Sequence, residues 1–193
     1  MKVLLSLIKI NLNVNFGISA LKYRFTKEKK RLWEPVFALI GIIIGIGSLV
    51  AFYSLFLFSL FVGGKSIGQP EIVLTIAFIA TQLLVMIFGI FYIISSFYFS
   101  KDMNILVPLP IKPSQVLAAK FFTILVNEYL TVLPVLIPAF VIYEIGMDVN
   151  LFYWLKAIIL ALTAPILPLA IAALFVVVIM RFINIRKNKD LLM

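Results

Sequence analysis

Residues 36–62 read VFALIGIIIGIGSLVAFYSLFLFSLFV, with no Asp, Glu, Lys or Arg anywhere in the run. A helix rises about 1.5 Å per residue and the hydrocarbon layer of a bilayer is about 30 Å thick, so about 20 such residues cross it. Two further stretches of this kind, 72–100 and 157–180, are also free of charge, and a fourth, 121–143, is interrupted only at Glu128. Lipid offers the backbone no hydrogen bonds, which leaves helices or a closed barrel. Barrel strands alternate apolar and polar residues; Ile42-Ile43-Ile44 and Leu174–Met180 do not. The expectation is an all-α, polytopic membrane bundle of four transmembrane helices, at about 36–62, 72–100, 116–143 and 156–180. A basic segment, 1–34, precedes this transmembrane domain (35–180), and a basic tail, 181–193, follows it.

Composition agrees. Of the 193 residues 64% are hydrophobic and 13% charged, and the mean hydropathy is +1.17. Soluble domains run nearer 45–50% apolar and about 25% charged, and a chain of 21.8 kDa has too little interior to hide the excess. The absence of Cys and His excludes thiol chemistry, disulfides and the usual zinc sites. The net charge of +9 sits beside the spans. Fifteen of the 17 basic residues fall before the first span, in or just after the second-to-third connection, or in the tail. The opposite connections keep Lys65 and Lys156 among Glu71, Glu144 and Asp148. The positive-inside rule places both termini in the cytoplasm of a plasma-membrane protein. The same distribution makes anionic membrane lipid the partner of the basic residues, and not nucleic acid.

The apolar run at Val3–Ile8 breaks at Lys9, too early for a signal-peptide core, so no cleavage is expected. The segment to Glu34 mixes Leu4, Leu7, Ile8, Leu21, Phe25 and Trp33 with basic residues, the pattern of an interfacial elbow helix beneath the bundle. Pro35 suits the first turn of the helix that follows. Inside the first span, Gly41 and Gly45 share one helical face and let another helix approach, either within the chain or from a second copy. Gly64-Lys65-Ser66 resembles the end of a nucleotide-binding loop. Ser59 stands where that loop needs its first Gly, so it reads as a turn.

Glu128, beside Asn127, is the one acid deep in a span. A carboxylate there costs a few kcal/mol unless it is protonated, hydrated or paired. Two readings stand side by side: a packing contact to Gln82 or Thr81, or the wall of a polar cavity, with proton carriage as its extreme. Pro134, Pro138, Pro165 and Pro168 are expected to bend their helices by removing donors. The connection SKDMNILVPLPIKPS, residues 100–114, is unlike a plain linker. Asp102 can cap a short helix whose sticky face is Ile105, Leu106 and Leu109. Pro108, Pro110 and Pro113 stiffen the path into the third span, with Pro113 suited to its first turn.

The pattern Asp102-x-x-x-Leu106-x-x-Leu109-Pro110-Ile111, with Gln115-Val116-Leu117-Ala118-Ala119-Lys120 entering a span, resembles the membrane subunit of type-2 ABC exporters. The resemblance implies that Asp102, Leu106, Leu109, Pro110 and Ile111 form a cytoplasmic coupling helix resting on an ABC ATPase subunit. It implies that ATP is bound by that partner, that this chain is not itself an enzyme and holds no cofactor, and that the host is a bacterium. Domains of this family usually have six spans and work in pairs. Four spans therefore read as the N-terminal part of a permease that pairs with a second permease domain or a copy of itself. The competing reading is a small non-transporting membrane protein that anchors or regulates a partner through its basic cytoplasmic face. A membrane-embedded enzyme or a proton-coupled carrier would have to work with Glu128 alone.

Overall fold

The computed structural model describes residues 2–27, 33–100 and 111–182, and their regular structure is entirely helical. Helices α1 (Lys2–Asn15) and α2 (Ile18–Lys27) precede α3 (Trp33–Ser66) and α4 (Ile72–Phe97). Helices α5 (Pro113–Met147), α6 (Leu151–Thr163) and α7 (Ile166–Phe182) follow. Four segments are long and apolar enough to cross a membrane: Val36–Ser66, Ile72–Phe97, Pro113–Met147 and Leu151–Arg181, the last made of α6 and α7 together. The chain is a four-span helical membrane protein with short helices at its N-terminus.

The helices overrun the apolar stretches that announced them, because charge ends a greasy run but turn chemistry ends a helix. The third span continues through Glu144 and stops where Asp148 turns left-handed, at φ 50°, with its N–H bonded to the Glu144 carbonyl at 3.0 Å. It begins with Pro113 in its first turn. The N-terminal segment also differs from expectation. It holds two helices, divided where Gly17 takes φ 59°, a conformation open to glycine without penalty. Asn13 secures that corner by accepting from the Ser19 N–H at 2.8 Å.

At the centre lies α4, packed against α5 and α7. Its buried residues are Val73, Ala77, Thr81, Val85, Gly89 and Ile93, one every fourth position with Thr81 and Gly89 among them. Each step of four advances about 40° around a helix, so this stripe winds from one neighbour toward the next. The core it joins includes Val132, Leu136 and Ala139 of α5 and Leu169, Ala172 and Val176 of α7. Helix α3 contributes Leu57 and Phe61 near its C-terminal end, whereas Phe37, Ile44 and Leu49 in its first half are exposed. At that same C-terminal end, Lys65 Nζ donates to the Gly146 carbonyl of α5 at 3.1 Å. The Phe61 ring occupies the place a side chain at Gly146 would need.

The four span prolines behave differently from one another. Pro134 and Pro138 lie inside an unbroken α5, but the last span breaks outright at Ala164–Pro165. Pro165 and Pro168 have no N–H for the carbonyls four residues earlier, those of Ala161 and Ala164. A neighbouring helix supplies the Ala164 carbonyl with a donor instead, Gln82 Nε2 of α4 at 3.1 Å, and Tyr129 Oη of α5 donates to the nearby Leu162 carbonyl at 2.5 Å. Such substitution lets a break persist at membrane depth.

Candidate functional site: a polar cavity between α1, α4 and α5

Helix α1 is amphipathic and lays Leu7 against Val116 and Ala119 in the first turns of α5, with Ile8 and Ile111 at the edge of the contact. This single apolar seam holds α1 against the bundle without filling the space beside it. A cavity of about 880 Å³ remains between α1, the C-terminal end of α4 and the N-terminal half of α5. Small polar residues line it from all three helices: Ser6, Asn11 and Asn15 from α1, Ser95 and Ser96 from α4, Thr123 and Asn127 from α5.

Lys120 is the charged member of that lining and is only 2% exposed. Its Nζ donates to the Ser96 carbonyl at 2.6 Å and to Ser100 Oγ at 2.7 Å. The Ser96 carbonyl belongs to the last turn of α4, where helix geometry leaves carbonyls without intrahelical partners and where a cation is favoured. The ammonium also stands 5.9 Å from the centre of the Phe97 ring. Deeper in, Asn15 Nδ2 donates to Asn127 Oδ1 at 2.7 Å, a bond that pins the end of α1 to the middle of α5. Both walls therefore present amide and hydroxyl groups around one ammonium.

Asn127 and Glu128, adjacent in sequence, separate in space because successive helical residues point about 100° apart. Asn127 faces the cavity; Glu128 does not line it. The Glu128 side chain is fully buried, and neither carboxyl oxygen has a hydrogen-bond partner among the described residues. The partners expected for it are engaged elsewhere: Thr81 Oγ1 donates to the Ala77 carbonyl at 2.8 Å, and Gln82 serves Ala164. Room for the carboxyl comes from Gly89, where a Cβ would stand 3.6 Å from Glu128 Oε1 and 3.0 Å from Leu169 Cδ1. Asn127 lines the cavity, and Glu128, the residue for which the two readings were framed, neither lines it nor hydrogen-bonds to Gln82 or Thr81.

Of the residues expected to couple to a motor, Asp102, Leu106, Leu109 and Pro110 lie outside the described residues, as does any coupling helix they form. Ile111 is described; it is half-buried, lines the cavity and packs beside the Leu7 seam. Ser100 and Ile111, which flank the connection, both line the cavity. Gly41 and Gly45 have no described atom within 4 Å of an added Cβ, so no helix among the described residues makes a close contact at their face. Gly64, whose motif resembled a phosphate loop, sits in the last turn of α3 with its carbonyl accepting from Ile67 and Gln69 N–H groups. Sequence reading passed over Asn11, Asn15, Ser95, Ser96 and the cavity role of Lys120. Its one available signal was Lys120 itself, a lysine seven residues inside a helix that is otherwise apolar around it.

A family model described as "Putative ATP-binding cassette" matches residues 30–193. The chain belongs to this family. With its four spans it is a membrane component of an ATP-binding cassette transporter system, and membership implies a partner component. No curated protein and no solved structure matches the chain. The family's description names the nucleotide-binding part of such a system, whereas the described residues within the match are helical, with no strand among them. A phosphate-binding loop is built between a strand and a helix. The nearest sequence to one, Gly64-Lys65-Ser66, ends a membrane-spanning helix.

Proposed function

We propose that this chain is the membrane-spanning permease subunit, or the N-terminal part of one, of an ATP-driven exporter, with ATP bound and hydrolysed on a separate subunit. The observation that carries the reading is the pairing of family membership with a four-span bundle whose sequence has no complete phosphate-binding loop. The 101–110 connection is the docking surface for the ATPase, on the cytoplasmic side together with both termini. Its stroke enters the bundle through Pro113 and the first turns of α5. A second permease domain, or a copy of this chain, completes the pathway. A motor shifts the bundle only if it contacts two states unequally, and the proline-rich sequence of the connection is suited to such differential contact.

The test is co-purification of the chain with a co-expressed ATPase subunit of the same system, before and after Leu106→Asp with Leu109→Asp. Loss of the ATPase from the double variant, with the variant still extracted as a folded membrane protein, is the expected result. Undiminished recovery of the ATPase sinks docking at this connection.

A further inference from the structure

We infer that the Ala164–Pro165 break is a hinge that lets α6 move with α5 while α7 stays with α4. The two halves of the last span are fastened to different helices: the principal neighbour of α6 is α5, and that of α7 is α4. Tyr153 makes the first attachment. Its ring stacks on that of Tyr143 with 5.5 Å between centroids, and its Oη donates to the Phe140 carbonyl at 3.1 Å. Leu169, Ala172 and Val176 make the second, each at most 1% exposed in the core around α4. Burial is correspondingly unequal, since α6 buries Ala157 and leaves Leu151, Leu155, Ile158 and Leu162 exposed.

The changeover falls within three residues. Tyr129 of α5 holds the Leu162 carbonyl, before the break, and Gln82 of α4 holds the Ala164 carbonyl, at the break itself. Each donor thus comes from the helix that carries the half on its side. The last backbone bond of α6 runs from the Ala164 N–H to the Leu160 carbonyl at 2.8 Å, and the first of α7 runs from the Leu169 N–H to the Pro165 carbonyl at 3.1 Å. Among the described residues no backbone hydrogen bond joins α6 to α7, and Pro165 and Pro168 have no N–H with which to make one. A hinge is built from a few such residues at the end of an element. Helix α6 has 13 residues, about 20 Å, so it cannot cross a layer of about 30 Å, and the break lies at membrane depth. Between the two pairs lies Glu128, whose carboxyl makes no hydrogen bond across the boundary among the described residues. The hinge follows from this division of contacts and requires no motor, so the chain alone tests it.

The sequence has no cysteine, so spin labels attach only where cysteines are introduced. The experiment takes the full chain in lipid nanodiscs, without the ATPase, and measures distance distributions by pulsed double electron–electron resonance. Three pairs of exposed positions are labelled: Leu155 with Leu174 across the break, Leu155 with Leu130 within the α5–α6 pair, and Leu174 with Ile79 within the α4–α7 pair. The expected result is a distribution across the break at least twice as wide as either of the other two. Equal widths overturn the hinge. Tyr129→Phe removes one hydroxyl and is expected to widen both Leu155 pairs while leaving Leu174 with Ile79 unchanged. Widening of Leu174 with Ile79, or no widening at all, overturns the division of contacts. Pro165→Ala with Pro168→Ala returns N–H groups to the Ala161 and Ala164 carbonyls and is expected to narrow the pair across the break to the width of the others. Breadth that persists in the folded double variant overturns the assignment of the motion to this break.

Discussion

Replacing Glu128 by Met should stabilise the protein. The side chain is 0% exposed, both carboxyl oxygens lack a donor among the described residues, and the surroundings are Gly89, Leu169 and Ala172. A buried polar group without a partner carries a desolvation cost of about 1–3 kcal/mol, and exchanging it for an apolar group of similar shape removes that cost. Met is close to Glu in length and adapts to irregular space, so overpacking, itself worth about 1–3 kcal/mol, is avoided. The expected gain is therefore about 1–3 kcal/mol, or about 2–4 °C of melting temperature for each kcal/mol in a chain of this size. Glu128→Gln should show little of the gain, since the amide keeps an unpaired acceptor and adds unpaired donors. The assay is thermal unfolding in mild detergent followed by intrinsic fluorescence, with all three proteins extracted alike. If Glu128→Met melts several degrees below the parent, the carboxyl has a stabilising partner, and its isolation between α4, α5 and α7 is refuted.

Three further outcomes follow from the packing. Gly64→Ala would set a Cβ 2.6 Å from the Gln69 carbonyl oxygen, which is backbone and cannot swing aside, whereas Gly63→Ala meets nothing within 4 Å. The first should lose about 1–3 kcal/mol and the second stay near the parent in the same melting assay. Gln82→Leu strips the Ala164 carbonyl of its donor beside Pro168 and should cost about 1–3 kcal/mol, read by denaturant titration; a neutral result means that water serves that carbonyl. Gly41→Ile with Gly45→Ile should leave the melting temperature of the isolated chain within about 2 °C, because no described atom faces either residue. A large loss would show that a second helix packs there in solution.

Spans were legible because lipid forbids charge over about 20 residues, and that prohibition is written directly into 36–62 and 72–100. Helix ends were partly legible: Pro113 announced the start of α5, while nothing near Tyr143 announced that the helix continues to Met147. Which faces pair was not legible. In water, apolar periodicity tells which face turns inward; in lipid both faces are apolar, and pairing rests on small residues and scattered polar contacts. The Asn15–Asn127 bond joins residues 112 positions apart, and neither position has a local signal for the other. Glu128 invited a partner on grounds of cost, but the sequence could not say that Gln82 and Thr81 had prior obligations to the Ala164 and Ala77 carbonyls. Equal spacing rules for the prolines likewise hid the difference between an unbroken α5 and a broken last span.

In the proposed coupling, α5 is the described helix that touches each feature that would carry the motion. Its first residue follows the connection, its Val116 and Ala119 hold α1, its Lys120 holds the end of α4, and its Glu128 and Tyr129 reach toward the last span. Ser100 and Ile111 flank the connection and stand on the cavity wall, so a displacement of the connection changes the cavity's mouth before it changes anything deeper. Helix α1 cannot stay behind: Leu7 is buried against Val116 and Ala119, and Asn15 is bonded to Asn127, two attachments about two turns apart along α1. Two attachments on one helix resist rotation where one would act as a pivot. Under the proposed coupling, a push at Pro113 would move α1 and α5 as a pair against α4 and would strain the Lys120 contacts with Ser96 and Ser100.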